Sequence, residues 1–237
     1  MRKSRMFHLW QDKPIKTWNP FIGCRFDCSY CWAKRLAKRL RCDKCKSFVP
    51  HVHEERLNPQ RIPKSGIVFV SDMGDISFAS TETLRKICEA INKIHEKHDV
   101  TFFFESKNPS IFGIINSLIK HGERVIYSTT IETNRDDIAS KFSRAPKPSI
   151  RLFYMEQLSG RKHISIEPIM NFDLDILFNW ITSIKPEAVS IGYDNYHNNL
   201  PEPPVEKTLE LIRLLEESGI KVEKKTIRNR IRGRYEK

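Results

Sequence analysis

Long apolar runs are missing from this sequence. No run approaches the ~20 residues that a membrane-spanning helix requires. The N-terminal stretch MRKSRMFHLWQDKP is basic, but it lacks the apolar segment of a secretory signal. We therefore expect a cytoplasmic protein with no membrane partner.

Acidic residues are in the minority. The chain of 237 residues carries 29 Asp and Glu against 41 Lys and Arg, which gives a formal net charge of +12. Such an excess favours a polyanionic partner, and DNA or RNA is the first candidate. The basic residues peak between Lys34 and Lys46 and again in the C-terminal segment KKTIRNRIRGRYEK. A generic basic surface and a solvated, frayed tail are the alternatives.

Disulfide bonds are not expected, although the chain has six cysteines. Five of them lie in one short N-terminal segment, and clustered thiols in a reducing compartment indicate metal binding. Cys88 stands apart in TLRKICEAINKIHEKH, where the helical period predicts a buried apolar position.

The rest of the chain alternates between short apolar strands and helices. Strands of Val, Ile and Phe that are separated by helices predict a parallel sheet buried on both faces. With a first strand near residues 15–19, roughly six β/α units are available, short of the eight in a full barrel. The sequence therefore predicts an α/β fold, a partial (β/α)6 TIM-like barrel, with a flat doubly wound sheet as the alternative. The other predicted strands are IVFVSD, VTFFFES, RVIYSTTI, HISIEPI, EAVSIG and IKVEKK.

A single domain with two additions accounts for this order of elements. We expect the barrel to occupy residues 1–223, with a cysteine- and histidine-bearing insertion at 42–60. The basic tail is expected to occupy residues 224–237.

Three thiols are crowded into the loop after the first predicted strand, with the spacing Cys24-x3-Cys28-x2-Cys31. Thiolates are soft ligands that select zinc, copper(I) or iron–sulfur clusters. A structural zinc site needs four ligands, so it would require another residue here. A [4Fe–4S] cluster held by three cysteines keeps one iron open for chemistry. In a β/α barrel this loop opens on the face where active sites lie.

This spacing, with Tyr30 directly before the last cysteine, resembles the signature of the radical SAM superfamily. The strings TWNPFIGC, CSYCWAKRLAKRL, FVSDMGDISF, SKNP, TTIETN, SIEPIMNFDLD and IGYDN resemble a branch of it found in phages, bacteria and archaea. The resemblance runs from about Thr17 to Asn195, and it implies a barrel of the radical SAM type. The insertion CDKCKSFVPHVH is not required by the signature.

The resemblance implies a cofactor and a reaction. Cys24, Cys28 and Cys31 would hold a [4Fe–4S] cluster whose open iron chelates S-adenosylmethionine (SAM). Reductive cleavage of SAM would give a 5′-deoxyadenosyl radical that abstracts hydrogen from the substrate. An electron donor of the flavodoxin or ferredoxin type is implied as a partner.

Residues at successive strand ends are the expected SAM contacts. In the superfamily a glycine-rich segment at the first of these ends contacts the SAM amino group, and carboxylate and ribose contacts follow. Capping of helices by Asp75 and Asn134, and ion pairing of Glu132 and Glu167 with Lys or Arg, are the alternatives. The expected contacts are Met73, Gly74, Asp75, Lys107, Thr130, Glu132, Asn134 and Glu167.

A second set of ligands follows in RCDKCKSFVPHVHEE. Cys42-x2-Cys45 can chelate one ion, and His51-x-His53 could complete a tetrahedron around zinc. An auxiliary iron–sulfur cluster and a metal-free loop are the alternatives.

The function expected from the sequence is therefore that of a radical SAM enzyme. A nucleic-acid base or nucleotide is the first substrate guess, and a small molecule or peptide stays open. The alternative class is a non-catalytic zinc or iron–sulfur protein that binds nucleic acid.

Overall fold

The computed structural model describes residues 15–227. Its main sheet has seven strands, and every neighbouring pair is parallel. The strands follow one another in the order of the chain, without the reversal that defines a doubly wound sheet. The predicted partial barrel is thus confirmed, and the flat alternative is wrong. The strands are β1 (Ile15–Trp18), β4 (Gly66–Val70), β5 (Val100–Glu105), β6 (Val125–Thr130), β7 (Arg161–Ile166), β8 (Ala188–Ile191) and β9 (Lys221–Lys224).

Helices connect the strands and cover the outer face of the sheet. Short helices lie in the N-terminal part of the chain, and longer amphipathic ones follow the later strands. They are α1 (Trp32–Ala37), α2 (Asp43–Lys46), α3 (Thr81–His95), α4 (Ile111–Leu118), α5 (Asp136–Phe142), α6 (Pro148–Gln157), α7 (Leu174–Ile184) and α8 (Val205–Glu217).

The two faces of the sheet carry different residues because side chains alternate along a strand. On the outer face, residues such as Phe102 and Phe104 join the large core formed with the helices. On the inner face, Phe69, Phe103 and Ile126 form a separate apolar cluster. This alternation decides which polar side chains can enter the barrel.

A two-stranded antiparallel ribbon lies between β1 and β4. It pairs β2 (Phe21–Ile22) with β3 (His51–Val52), so it brings the two cysteine-bearing segments together. The backbone N–H of His53 also donates to Pro20 O at 2.7 Å.

The end of α4 differs from the sequence pattern. The stretch PSIFGIINSLIKHG predicts a helix that opens on Pro109 and closes at Gly122, but α4 ends at Leu118. The buried Asn92 side chain donates to Leu118 O at 2.9 Å and accepts from Lys120 N at 2.9 Å. These hydrogen bonds from a side chain of α3 cap the end of α4 in place of further helical hydrogen bonds. The sequence around the end of α4 does not reveal this cap, because the capping residue belongs to another helix.

The basic tail is only partly described. Lys224 ends β9, and Lys225 N still donates to Ile191 O at 2.8 Å. The remaining predicted tail, 228–237, and the N-terminal segment 1–14 lie outside the described residues. The tail and the domain division therefore stay predictions.

Among the described residues, none of the helices has the length and apolar character needed to span a bilayer.

We predict that protonation of His163 destabilises the fold. Its fully buried ring contacts Ser128 Oγ at 2.8 Å and Ser190 Oγ at 3.1 Å, and burial lowers its pKa to about 3. As pH falls from about 6.5 towards 3, the unfolded chain binds a proton that the folded chain does not. This linkage should cost about 2 kcal/mol of unfolding free energy at pH 5 relative to pH 7.

Urea unfolding at pH 7 and pH 5 checks this prediction. His163→Gln should show a smaller loss of stability between the two pH values, whereas the control His98→Gln should keep the wild-type loss. Equal losses in His163→Gln and the wild type would contradict the assignment.

Candidate active site

A cavity of about 250 Å³ opens at the carboxyl ends of the parallel strands. Its lining draws on the thiol loop and on the residues that follow five successive strands. The polar lining residues are Cys24, Cys28, Cys31, Asp72, Asp75, Glu105, Ser106, Lys107, Thr130, Ser165, Glu167, Asp194 and Asn195.

The alternation of the inner face explains several of these positions. Glu105 shares a face with Phe103, and Ser165 and Glu167 share a face with His163. On β4–β6 the inner face carries the apolar cluster, whereas its carboxyl end is polar. Glu105, Ser106, Ser165 and Asp72 were not among the expected contacts, although counting by twos from Phe103 would have found Glu105.

The thiol loop begins directly after β2. Gly23 allows the entry because its φ is +99° and because a Cβ there would lie 2.4 Å from Val49 O. Cys24 accepts from Phe26 N at 3.4 Å, Cys31 caps α1 and accepts from Lys34 N at 3.3 Å, and Cys28 lies 3.1 Å from Ser143 Oγ.

Among residues 15–227, one set of His, Cys, Asp or Glu ligand atoms lies wholly within 4.8 Å, and it is formed by Cys42, Cys45, His51 and His53. Cys24, Cys28 and Cys31 are not part of such a set, but all three line the cavity.

Burial governs the protonation of these thiols when no metal is bound. Burial raises the pKa of the Cys24 thiol, and the nearby Asp75 carboxylate raises it further. Burial also raises the pKa of Cys31. Holding both groups as thiolates therefore requires a positive partner, which a metal cluster would supply.

A buried carboxylate joins the thiol loop to the barrel. Glu132, which is fully buried, accepts hydrogen bonds from Tyr30 Oη and Lys107 Nζ. Its other oxygen accepts from Arg151 Nη1 at 2.7 Å, and Arg151 also donates to Thr130 O at 2.8 Å. Burial would raise the pKa of Glu132, but the two cations hold it well below its usual range.

Asp75 is similarly committed to internal hydrogen bonds. Its Oδ1 accepts from Ser77 N at 3.0 Å and from Ser106 Oγ at 2.7 Å, and its Oδ2 accepts from Lys107 N at 2.9 Å. Asp75 thus caps the short 3-10 helix Ile76–Phe78, as one alternative anticipated. The adjacent Gly74 pairs with Gly23 in a β-bridge. A Cβ added to Gly74 would lie 2.7 Å from the Gly23 backbone.

Asp72 leaves a buried oxygen without a partner. Its Oδ1 has no hydrogen bond to any described residue, and burial raises the pKa of the carboxyl group. Because Asp72 lines the cavity, this oxygen can accept from a cationic or N–H-bearing ligand.

Two further carboxyl groups face the cavity floor. Burial raises the pKa of Glu167 to about 7, although the nearby Lys225 opposes the shift. Burial also raises the pKa of Glu105, and the Glu105 carboxylate in turn contributes to the raised pKa of Glu167. The floor of the cavity can therefore donate or accept a proton near neutral pH.

Three of the expected contacts do not line the cavity. Met73 packs with Phe48 in a small apolar cluster. Glu132 lies outside the cavity lining, where its carboxylate accepts hydrogen bonds from three side chains. Asn134 donates to Asp173 Oδ2 at 3.1 Å and accepts from Asp173 N at 2.8 Å. Glu132 thus forms the ion pairs that the alternative anticipated, and Asn134 is hydrogen-bonded to Asp173, directly before α7. Both residues lie past the end of β6. Gly74, Asp75, Lys107, Thr130 and Glu167 do line it.

We predict that Glu132→Gln strongly destabilises the protein. The variant keeps the shape of the side chain but leaves the buried Arg151 guanidinium without its counter-charge. Breaking such a pair costs about 3–5 kcal/mol. Urea unfolding checks this value against Glu210→Gln, which removes an exposed partner of Arg213 and should cost about 0–1 kcal/mol. Similar costs in the two variants would contradict the role of Glu132.

No protein-family model matches the chain, and no curated protein matches it in sequence. Solved structures do match in fold. SuiB of Streptococcus suis bound to S-adenosylmethionine is 8% identical with a TM-score of 0.57, covering 90% of this chain and 50% of SuiB. The same enzyme bound to its precursor peptide SuiA is 9% identical with a TM-score of 0.61, covering 89% of this chain and 48% of that one.

A second structural neighbour was solved with different bound molecules. A double mutant of spore photoproduct lyase, with bound AdoMet and dinucleoside spore photoproduct, is 13% identical with a TM-score of 0.55. The match covers 85% of this chain and 59% of the lyase. The chain thus spans about half the length of the SuiB chains that it matches. At these identities the likeness concerns the fold alone, and that fold is the partial β/α barrel.

Proposed function

We propose that this chain is a radical SAM enzyme. The observation that carries the proposal is the position of three buried or half-buried thiols on the wall of a cavity at the carboxyl ends of the barrel strands. The fold neighbours support it, because two of them were solved with SAM or AdoMet bound.

The residues of the site fit both expected cofactors. Cys24, Cys28 and Cys31 would hold a [4Fe–4S] cluster, since thiolates are the ligands of such clusters and all three thiols line the cavity. The chemistry supplied by the bound cofactors would be one-electron cleavage of the sulfonium C–S bond of SAM, which would give methionine and a 5′-deoxyadenosyl radical able to take a hydrogen atom from substrate.

The other residues of the cavity would bind and orient SAM. The unpartnered Asp72 Oδ1 suits the SAM ammonium group, and Thr130 and Glu167 offer oxygens on the opposite wall. Lys107 lines the cavity while its ammonium group is bound to Glu132, so it keeps Tyr30 and the thiol loop in place. The apolar residues Phe26, Phe48 and Phe69 exclude water from the cavity.

We infer that the substrate is a nucleic acid. The exposed aromatic rings of Trp32 and Tyr196 stand at the cavity, and the Arg35 guanidinium lies 5.1 Å from the Tyr196 ring centroid. Exposed aromatic and basic groups side by side suit a base stacked above a phosphate. Lys38 and Arg39 are exposed on the same basic segment. The dinucleoside bound by the lyase neighbour agrees with this choice, whereas the peptide of SuiB is the competing class.

We predict that Cys31→Ala abolishes cluster assembly and SAM cleavage. After anaerobic reconstitution with iron and sulfide, the wild type should be brown and should release 5′-deoxyadenosine when reduced in the presence of SAM. The reductant stands in for the expected flavodoxin or ferredoxin. Cys31→Ala should lose both properties because the cluster would keep only two thiolates.

Cys88→Ala is the matched control, because Cys88 is buried in the core away from the cavity. It should retain the iron content and SAM cleavage of the wild type. Normal cleavage by Cys31→Ala would refute the ligand assignment. A wild type that binds iron or zinc yet leaves SAM intact would favour the non-catalytic alternative.

We predict that Tyr196→Ala weakens binding of a single-stranded oligonucleotide by about fivefold to a hundredfold, the ~1–3 kcal/mol of one stacked base. Lys38→Ala should instead lower the slope of log affinity against log salt by about 0.7, because it removes one phosphate contact. Fluorescence anisotropy across a salt series measures both effects. The control Tyr154→Ala changes an exposed tyrosine on α6 and should change neither. Wild-type affinity in Tyr196→Ala would argue against a nucleic-acid substrate.

A further inference from the structure

Four ligand atoms of the insertion converge on one point. Cys45 Sγ lies 3.4 Å from His51 Nε2 and 3.2 Å from His53 Nε2, and Cys42 Sγ lies 3.6 Å from His51 Nε2. All four atoms lie within 4.8 Å of one another. A tetrahedron with Zn–S of about 2.3 Å and Zn–N of about 2.0–2.1 Å has edges of about 3.3–3.8 Å. The observed separations are close to those edges.

Local structure explains the convergence. Cys42 precedes α2 and Cys45 lies within it, so a single turn places both sulfurs on one side. His51 begins β3 and His53 directly follows the strand, and both rings lie on the same side, with their Nε2 atoms 3.1 Å apart.

The outer nitrogens of both imidazoles are already engaged. His51 Nδ1 lies 2.7 Å from Val49 O, and His53 Nδ1 lies 3.1 Å from a Glu55 carboxylate oxygen. Since both partners can only accept, each Nδ1 carries the proton and each Nε2 presents a lone pair. Those two lone pairs face each other across 3.1 Å. A bound cation removes this repulsion, and the outer hydrogen bonds are the kind that orient metal-ligating histidines.

The ligand set favours zinc over the other metals. Two thiolates and two imidazoles in a closed tetrahedron are typical of structural zinc. The short separations leave no room for an auxiliary iron–sulfur cluster between the four side chains. Cys45 and the His53 ring are also largely shielded from solvent, as a structural site requires.

We propose that Cys42, Cys45, His51 and His53 bind one zinc ion, and that this ion fixes the cavity wall next to Cys24. The ion closes the insertion into a rigid lobe. That lobe is joined to the thiol loop through the β2–β3 ribbon, in which Ile22 pairs with His51.

The link between the two sites is short. Cys24 N donates to Phe48 O at 3.2 Å, and the Phe48 side chain lines the cavity. Gly23, directly before Cys24, has Val49 and Pro50 so close that any Cβ would clash with their backbone. Gly23 N in turn donates to Met73 O at 3.1 Å on the barrel side. Loss of the ion should therefore loosen the thiol loop while leaving the sheet intact.

The effect on the thiol loop rests on the proposed function, whereas the zinc site does not. The test therefore uses the full chain with Cys24, Cys28 and Cys31 replaced by alanine, which cannot hold the cluster. After loading with Zn²⁺ and gel filtration, elemental analysis should find about one zinc per chain. Loading with Co²⁺ should give the absorption of a tetrahedral site with two thiolates.

Adding Cys42→Ser and Cys45→Ser to this background should abolish zinc and cobalt binding, and Cys88→Ala should not. Should the double substitution fail to fold, His53→Gln in the same background provides the second variant, and its zinc affinity should fall at least tenfold. In the same background, zinc should also slow hydrogen exchange at the backbone amides of position 24 and of Val49, and a chelator should reverse this. Exchange at the Phe103 amide should stay unchanged.

Three results would overturn the proposal. The first is a triple-alanine chain that binds no Zn²⁺. The second is zinc binding that survives the loss of Cys42 and Cys45. The third is extra iron and sulfide at these residues in the wild type, since that would identify an auxiliary cluster. An unchanged exchange rate at the backbone amide of position 24 would refute the coupling to the cavity wall. Failure of SAM cleavage in the wild type would leave all these readouts intact, so the two proposals can fail separately.

Discussion

The site depends on the hydrogen bonds and ion pairs of one buried carboxylate, that of Glu132. It is fully buried, and it joins Tyr30 of the thiol loop to Lys107 after β5 and Arg151 of α6. Removing two cations and an anion from water is costly, and the three donors around one carboxylate, together with the Arg151 hydrogen bond to Thr130 O, offset that cost. The position of Tyr30 between Cys28 and Cys31 then fixes the loop against the barrel. The apolar core alone could not specify this register because it contains no directional contact.

Much of the barrel follows from residue spacing. The apolar strands and their intervening helices predicted the parallel sheet, and the structure adds its strand order. The three thiols and the residues at the end of β5 line the cavity, because residues that follow successive parallel strands share one edge. Alternation from Phe103 extends this reasoning to Glu105, which the sequence analysis overlooked.

Other features depend on contacts between distant parts of the chain. The end of α4 is set by Asn92, which is remote in sequence. Glu132 and Asn134 follow β6 like true lining residues, yet Arg151 and Asp173 draw them away from the cavity. No local pattern distinguishes a carboxylate that binds a ligand from one that binds a buried arginine. Such assignments require the partner to be known.

The two groups of cysteines differ in what would complete them. Cys42, Cys45 and the two histidines form a closed set of four ligands that one zinc ion would fill. Cys24, Cys28 and Cys31 place three thiols at the cavity, and under the proposed function a cluster held there would keep one iron open to an outside ligand. A site with all positions filled by protein holds structure, whereas one with an open position can perform chemistry. Placing the closed site on the ribbon that carries the open one would let a structural ion support the cavity without competing for its thiolates.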